Sequence, residues 1–292
     1  MNKVAIVTDS NSGITQDEAK TLGVYVLPMP FTMEEEEYFE DINLTQEQFY
    51  EKLEAGADIA TSQPSPDAVL EQWDGLLSEY DEIVCIPMSS GLSGTTQTAM
   101  MLSGDYDGRV VVVDNQRISV TQRQSVLDAK VLADQGKRAA EIAEVLMDMK
   151  MDSAIYIMVD TLKYLKKGGR VTPAAAAIGE ILHIKPVLQI HGEKLDAFAK
   201  ARNMKAAKTM MVNAVKKDIT DKYGEIPAAD APNAPWIAMA YTKNRDLAEQ
   251  WREELAEEFP GYEIHMDPLS LSVACHIGPG SLALTWMKKM DV

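Results

Sequence analysis

Short apolar runs alternate along the chain with longer stretches in which apolar positions recur at helical spacing. The short runs predict β-strands and the longer stretches predict helices, so the alternation favours a mainly parallel sheet flanked by helices. The clearest predicted strands are residues 4–8, 82–86, 109–113, 155–159, 236–241 and 262–266. The predicted helices are residues 46–54, 66–78, 122–133, 139–149, 204–217 and 247–258. We therefore assign the chain to the α/β class.

One segment interrupts this alternation. In residues 187–199, two strand-like runs flank a His-Gly-Glu-Lys sequence, which is typical of a β-hairpin with glycine at its turn. The hairpin indicates a second domain of different construction, and 292 residues are enough for two cores. We expect an N-terminal α/β domain at 1–152, with the mainly parallel sheet flanked by helices, and a C-terminal α/β domain at 153–292, with the hairpin insertion. The last strand and helix, near residues 270–290, are expected to pack at the domain junction.

Polar loops follow five of the apolar runs. These loops begin at Asp9, Thr61, Ser89, Asp114 and His276. Because ligands of open α/β sheets bind beyond the carboxyl ends of the strands, we expect several of the loops to converge on one site. In this interpretation residues 273–275 form a strand that ends at His276, and residues 281–289 form the last helix.

The second of these loops combines hydroxyl groups with signals for the start of a helix. Ser65 followed by Pro66 is typical of an N-cap and a first helical residue. This leaves Thr61, Ser62 and Gln63 at the mouth of the expected crevice. An ordinary capped loop explains the same residues, and the local pattern leaves both interpretations open.

Residues 89–95 also precede a predicted helix. Gly91 and Gly94 allow backbone N–H groups to approach a ligand, and a helix N-terminus favours an anion. Ser93 and Thr95 add hydroxyl donors. Helix capping alone is the alternative, but together with the preceding loop these residues favour a cradle for an anion.

A serine hydrolase is the enzymatic alternative. Gly91-Leu92-Ser93 partly matches a nucleophile elbow, and His276 lies downstream in the chain order of α/β-hydrolases. The match fails at Thr95, where the elbow requires glycine, and no acid is assigned.

A neutral His276 imidazole at a carboxyl edge would instead donate a hydrogen bond to a carboxylate. The remaining histidines, which lack such a context, are His183, His191 and His265. No spacing indicates a metal site, and we expect neither a metal nor a cofactor.

A short basic segment stands out in a chain with 45 acidic and 28 basic side chains. Leu162 and Leu165 predict a short helix, which Gly168-Gly169 ends. The cations near this turn are Lys163, Lys166, Lys167 and Arg170, with Lys200, Arg202 and Lys205 as a candidate extension. Lysines that complement the helix dipole are one interpretation, and a docking or phosphate-facing patch is the other.

The net charge of −17 disfavours binding to nucleic acid or to an anionic membrane. Cys85 and Cys275 each stand in an apolar run, which favours buried thiols over a disulfide or a zinc site. The chain reaches Asp9 too early for a signal peptide, and no apolar stretch approaches the roughly 18 residues of a membrane span. We expect a cytoplasmic protein without stable membrane insertion.

Taken in order, the motifs resemble the DegV family of bacterial fatty-acid-binding proteins, some of which serve as the carrier subunit of fatty acid kinase. The resemblance runs nearly end to end. It rests on Thr8-Asp9-Ser10, Thr61-Ser62-Gln63-Pro64-Ser65, Ser89-Ser90-Gly91-Leu92-Ser93-Gly94-Thr95, Tyr164-Leu165-Lys166-Lys167-Gly168-Gly169-Arg170, Lys185-Pro186 and His276-Ile277-Gly278-Pro279-Gly280.

The resemblance implies two α/β domains that hold one long-chain fatty acid in an internal tunnel, with its carboxylate at the domain junction. The protein would be a non-catalytic carrier that presents this carboxylate to a separate ATP-dependent kinase, which forms the acyl phosphate. The implied carboxylate-binding residues are Thr61, Ser62, Ser93, Gly94, Thr95, His276 and Gly278. The implied kinase-facing or phosphate-facing residues are Lys167, Arg170 and Arg202.

Two positions depart from the family pattern. Ile277 stands where relatives often carry threonine, which removes one polar contact near His276. Ala201-Arg202-Asn203 replaces a more usual Arg-Thr-Arg/Lys run, which bears on the role of Arg202 more than on that of Arg170. A lipid sensor or storage protein without a kinase partner is the third hypothesis.

Overall fold

The chain forms two compact α/β units. The computed structural model describes residues 2–178 and 184–290, without the side chains of 176–178. The first unit comprises Met1–Lys150 and Ser270–Ser272, and the second comprises Met151–Leu269 and Val273–Val292.

The first unit contains seven strands and six α-helices among the described residues. The strands are β1 (Val4–Asp9), β2 (Tyr25–Leu27), β3 (Phe31–Met33), β4 (Glu36–Tyr38), β5 (Ile59–Thr61), β6 (Glu82–Ile86) and β7 (Val110–Val112). The helices are α1 (Gln16–Leu22), α2 (Gln46–Glu54), α3 (Pro66–Leu77), α4 (Thr95–Ser103), α5 (Val120–Asp134) and α6 (Ala139–Asp148).

A four-stranded parallel sheet organises this unit and confirms the parallel sheet predicted for the N-terminal half. Its order is β2-β1-β6-β7, and every neighbouring pair is parallel. β1 and β6 lie at its centre and are buried along their whole length, as their nearly continuous apolar sequences predict. On one face of the sheet, Val69 and Trp73 of α3 and Ala99 of α4 pack against Val7 and Ile83.

A second, antiparallel sheet of three short strands, in the order β4-β3-β5, was not predicted from the pattern. Each of its strands has only three residues, too few to show a period of two against the loops around them. It positions Thr61, the last residue of β5, opposite Phe31 in β3.

In the parts of the second unit that the structure describes there are six strands and four α-helices, and a fifth helix is shared along the chain with the first unit. The strands are β8 (Ser153–Met158), β9 (Lys185–Ile190), β10 (Leu195–Ala201), β11 (Trp236–Tyr241), β12 (Ile264–Pro268) and β13 (Leu282–Met287). The helices are α7 (Lys163–Gly168), α8 (Pro173–Ile178), α9 (Met204–Tyr223), α10 (Arg245–Glu258) and α11 (Leu271–Ile277).

The six strands form one sheet in the order β10-β9-β8-β13-β11-β12. The hairpin predicted around Gly192 is confirmed: β9 and β10 pair antiparallel, and Gly192 adopts a φ of +93° at the turn. Within the described residues, β11 and β12 pair in parallel and the other four pairs of this sheet are antiparallel. Helices α9 and α10 cover one face with a core that includes Met211, Trp251 and Phe259.

The two elements predicted near the C-terminus are exchanged in the structure. Residues 273–275 belong to helix α11 and not to a strand, whereas Leu282–Met287 forms strand β13 and not a helix. β13 pairs antiparallel with β8 on one side and with β11 on the other, and all six of its residues are buried. A short apolar run that is buried on both faces has no period of two, and this pattern does not distinguish a strand from a helix.

No helix among the described residues is long and apolar enough to cross a membrane.

Candidate functional site

The loop between β6 and α4 carries a pair of hydroxyl groups. Ser93 Oγ lies 2.8 Å from Thr95 Oγ1 and accepts a hydrogen bond from the backbone N–H of Thr95 at 3.2 Å. Ser93 therefore satisfies the N–H of Thr95, the first residue of α4, whose N-cap residue is Gly94. The hydroxyl pair contains two O–H groups, and one of them is used between Ser93 and Thr95. The other is available to a ligand, beside the N-terminus of a nine-residue helix.

The loop after β5 lies against the same turn. Gln63 Oε1 accepts a hydrogen bond from Thr98 Oγ1 at 3.2 Å. A Cβ atom built on Gly94 would lie 2.9 Å from that oxygen, so the Gln63 side chain rests directly on Gly94. Ser65 caps α3 through Ala68 N, as predicted. The structure thus places the two hydroxyl-bearing loops of the first unit side by side.

A network of buried polar groups fixes the start of the loop between β6 and α4. The Asp9 carboxylate is 1% exposed and accepts hydrogen bonds from Met88 N at 2.8 Å, Asn11 N at 3.0 Å and Gln122 Nε2 at 3.1 Å. Burial raises the pKa of Asp9, and these hydrogen bonds oppose the rise. Thr96 Oγ1 also donates to Met88 O at 2.7 Å. Met88, the residue before the loop, is therefore held at both its N–H and its carbonyl.

Sequence reasoning missed two members of this network, Gln122 and Thr96. Both are fully buried polar residues on helices. Polar residues on the face of α5 that packs against the sheet were the available signal, because a buried helix face normally carries apolar residues. This signal cannot be used from the sequence alone, because it requires knowing which face of α5 is buried.

Glu40 is a further buried acid that the sequence did not single out. Its carboxylate accepts hydrogen bonds from Leu271 N at 2.7 Å and from Gln46 Nε2 at 2.6 Å. Burial raises the pKa of Glu40 to about 7, and the two hydrogen bonds limit the rise. Ser272 Oγ donates to Asn11 Oδ1 at 2.5 Å. The first turn of α11 is therefore fixed within the first unit.

His276 lies on α11, one residue before the end of the helix, and not at the end of a strand. In the second unit its imidazole packs against the last turn of α7: a Cβ atom built on Gly168 would lie 2.1 Å from His276 Nδ1. Burial, together with the positive charge of Arg170, lowers the pKa of His276 to about 4. The imidazole is therefore neutral at pH 7.

The basic segment forms the predicted short helix. Leu162 and Leu165 are buried, and Gly169 ends α7 in the left-handed conformation with a φ of +68°. Lys167 and Arg170 are exposed. Arg170 also donates through its guanidinium to the carbonyl of Gly168. This keeps a solvent-accessible cation next to the residue on which His276 packs.

The remaining predicted residues occupy varied surroundings. Thr61 is half-buried and Ser62 is exposed, whereas Gly278 is buried under the Tyr164 ring. Arg202 is exposed just after β10. Among the other histidines, His265 Nε2 lies 2.8 Å from Asp267 Oδ2, and His183 lies outside the described residues. The predicted residues Thr61, Ser62, Ser93, Gly94 and Thr95 belong to the first unit, and Lys167, Arg170, Arg202, His276 and Gly278 belong to the second.

The geometry gives little support to catalysis by Ser93. Six loop residues separate Ser93 from the end of β6, whereas a nucleophile elbow places the serine directly after its strand. A histidine with a pKa of about 4 is also a weak general base at pH 7. No group of three or more histidine, cysteine, aspartate or glutamate side chains within residues 2–178 and 184–290 is arranged to hold a metal ion.

Comparison with known proteins identifies the family. The DegV family model, whose description reads "Uncharacterised protein, DegV family", matches residues 3–289. This chain belongs to the DegV family. A DegV domain-containing protein from Listeria innocua is 29% identical to it over 290 residues, which is 98% of this chain and 99% of the relative. A DegV domain-containing protein from Staphylococcus aureus is 26% identical over 289 residues, 99% of this chain and 100% of the relative.

Solved DegV structures share the fold over the full length. The DegV family protein from Thermus thermophilus, described by its fatty acid binding, is 30% identical with a TM-score of 0.87 over 98% of this chain and 100% of that one. DegV from Bacillus subtilis, described as a fatty acid binding protein, is 27% identical with a TM-score of 0.86 over 99% of this chain and 100% of that one. The DegV resemblance inferred from the motifs is therefore confirmed.

Proposed function

We propose that this DegV chain binds one long-chain fatty acid in an internal tunnel and presents its carboxylate to a separate ATP-dependent kinase. In this role the chain is a carrier in the cytoplasm and not an enzyme. The residues proposed to bind the carboxylate are Thr61, Ser62, Ser93, Gly94, Thr95, His276 and Gly278. Lys167, Arg170 and Arg202 face the kinase and the acyl phosphate that it forms.

The observation that carries the proposal is the full-length similarity to two DegV proteins whose descriptions state fatty acid binding. Local geometry supports the residues assigned to bind the carboxylate. The Ser93–Thr95 hydroxyl pair at the start of α4 offers a hydrogen-bond donor to an anion. A neutral imidazole at His276 offers a further N–H donor. Such donors bind a carboxylate locally in a chain whose net charge of −17 repels it.

Transfer energies indicate how the two ends of the lipid contribute. Burial of about 14 methylene groups gives roughly 11 kcal/mol of gross transfer free energy. A hydrogen bond to a charged group contributes about 1.5–3 kcal/mol. The hydrocarbon tail therefore supplies most of the affinity, and the hydroxyl-rich head site sets the orientation of the carboxylate.

Titration of delipidated protein with oleate tests the binding step. We expect one fatty acid per chain by native mass spectrometry, and Ser93→Ala should weaken the affinity by about tenfold, which corresponds to one hydrogen bond to a charged group. Ser103→Ala is the matched control, because its hydroxyl donates to Met100 O at the other end of α4. A wild-type protein that retains no fatty acid would refute the proposal. Equal affinity of Ser93→Ala and wild-type protein would refute the head-group assignment.

A second experiment tests the kinase step. In that step a carboxylate oxygen attacks the γ-phosphorus of ATP, the bond from this phosphorus to the β-phosphate bridging oxygen breaks, and ADP leaves. Lipid-loaded protein, ATP and the fatty acid kinase subunit of the source organism should yield acyl phosphate, trapped as a hydroxamate. Arg170→Ala should lower this yield without lowering the oleate affinity, whereas Arg252→Ala, at a surface ion pair with Glu249, should change neither. Absence of acyl phosphate from wild-type protein would leave the lipid sensor or storage role.

A further inference from the structure

The contact between His276 and Gly168 requires the absence of a side chain at position 168. A Cβ atom there would lie 2.1 Å from Nδ1 and 2.7 Å from Cε1 of the imidazole, closer than any real Cβ contact. Gly168 has no positive φ, so its backbone conformation suits any residue. The need for glycine at this position is therefore steric, and the three atoms nearest to the added Cβ all belong to the imidazole ring.

A second aromatic ring, that of Tyr164, packs on a second glycine, Gly278, where α7 meets the end of α11. A Cβ atom built on Gly278 would lie 2.3 Å from Cδ2 of Tyr164. Tyr164 belongs to α7 and packs on the segment after α11, whereas His276 belongs to α11 and packs on α7. We call these four residues, Tyr164, Gly168, His276 and Gly278, the ring–glycine lock. Two reciprocal contacts restrict both sliding and rotation of the imidazole more than one contact would.

We propose that Gly168 is the positioning residue for His276, and that the ring–glycine lock fixes the orientation of the imidazole in the fatty acid site. Nδ1 and Cε1 are the ring atoms nearest to Gly168, and Nε2 lies farther from it. The inference rests on the proposed function, because it names the geometry through which His276 would act in the same site. Gly168 itself does not touch the lipid.

The charges around the ring fit this role. Helix α11 carries no ionisable side chain other than Cys275 and His276. Arg170, which follows α7, is the charged group that lowers the pKa of His276 in addition to burial, and Lys163, Lys166 and Lys167 of the same segment share its sign. A neutral imidazole next to a permanent cation donates a single N–H and leaves the balancing charge to Arg170.

Nitrogen-15 NMR of the delipidated protein tests the lock directly, because it reports the tautomer and the titration of His276. In wild-type protein we expect a single tautomer and a midpoint well below that of an exposed histidine. Gly168→Ala should displace the ring, so that the tautomer becomes mixed and the midpoint rises. The matched control is Gly75→Ala in α3, another helical glycine without positive φ, where an added Cβ meets no atom within 4 Å. It should leave the His276 signals unchanged.

A double variant covers the case in which Gly168→Ala does not fold. In the His276→Ala background the obstructing ring is absent, so Gly168→Ala should fold and should be no less stable than His276→Ala alone. Loss of folding in that double variant would overturn the steric argument. A wild-type tautomer and titration in Gly168→Ala would overturn it as well.

Oleate affinity separates this inference from the proposed function. Gly168→Ala should weaken binding by about tenfold, the same loss as His276→Ala, and the double variant should lose no more than either single one. Unchanged affinity in Gly168→Ala, with an altered tautomer, would show that the lock does not orient a carboxylate ligand. A wild-type protein that binds no oleate would refute the proposed function, while the NMR result would still decide the existence of the lock.

Discussion

The hydroxyl-bearing region of the first unit and the imidazole region of the second are held in place by different physical means. Ser93 and Thr95 depend on hydrogen bonds, first to each other and then, through Met88, to the buried carboxylate of Asp9. His276 depends on packing against Gly168. The first region is therefore sensitive to loss of a hydrogen-bond partner, and the second is sensitive to added volume.

This difference indicates which substitutions each region tolerates. A hydrogen-bonded loop accepts a change of size as long as its buried donors keep an acceptor. A ring packed on glycine accepts a change of polarity more readily than one additional methyl group. The four predictions that follow test this contrast.

The largest effect is expected at the base of the hydrogen-bonded region. Asp9→Ala leaves the buried N–H groups of Met88 and Asn11 and the Gln122 amide without their acceptor, and should lower the free energy of unfolding by about 4 kcal/mol. Urea denaturation measures the change. Asp17→Ala, at an exposed ion pair with Lys20, is the control and should leave the midpoint nearly unchanged. A similar midpoint for both variants would show that the network does not support the loop.

Gly278→Ala should be the next most damaging change. The new methyl group meets the Tyr164 ring and occupies a residue with a φ of +79°, so we expect a loss of about 3 kcal/mol. Gly224→Ala isolates the backbone part, because Gly224 has a φ of +83° and an added Cβ there meets no atom within 4 Å. It should cost about 1 kcal/mol. Equal losses at both glycines would contradict the packing role of Tyr164.

His276 should also make stability depend on pH. Its pKa is about 4 in the folded chain, against the ordinary histidine value of 6.5, so the unfolded chain binds more protons between these values. Stability on this account is fully present above about pH 6.5 and is lost as the pH falls through about 4. We expect a contribution of about 2 kcal/mol, allowing for partial exposure of the ring. Urea denaturation at pH 4 and 7 should show a smaller difference for His276→Gln than for wild-type protein.

The control for this prediction is His191→Gln, at the exposed turn between β9 and β10. It should keep the wild-type dependence on pH. The prediction is wrong if His276→Gln keeps that dependence too, since the imidazole would then titrate alike in the folded and unfolded chains.

The smallest effect is expected at Gly94. An added Cβ would meet only the amide oxygen of Gln63, the end of an exposed and flexible side chain, and the φ of −73° suits alanine. Gly94→Ala should therefore cost less than about 1 kcal/mol. Urea denaturation beside Gly278→Ala gives the direct comparison. A loss at Gly94 as large as the loss at Gly278 would remove the contrast between the two regions.

The parts of the fold that sequence patterns predicted are those set by local chemistry. Ser65 with Pro66 marked the start of α3, and Gly192 marked the turn of the β9–β10 hairpin, because capping and positive φ depend on residues a few positions apart. The exchange of α11 and β13 has the opposite cause. The Leu282–Met287 strand is recognisable only through its two partner strands, which lie elsewhere in the chain.

In the candidate site, too, residues with a local sequence signal were predicted and residues that depend on distant contacts were not. Ser93 and Thr95 were found from the sequence because their loop precedes a helix and contains glycines. The contact of Gln122 with Asp9 joins residues 113 positions apart, and no local pattern records it. Gly168 was interpreted as the end of a helix, but its requirement for glycine comes from the ring of His276, which only the folded chain brings to it.

Strand β13 has a consequence for how the second unit is assembled. It lies between β8 and β11, and its Thr285 hydroxyl donates to the carbonyl of Ala154, 131 residues earlier in the chain. A chain interrupted after β12 would lack β13, so the sheet would be divided into β10-β9-β8 and β11-β12. The edges of β8 and β11 that normally pair with β13 would then be exposed. Such edges pair readily with other chains. An incomplete copy of this protein is therefore expected to aggregate, and closure of the sheet by β13 is expected to be a slow, late step of folding.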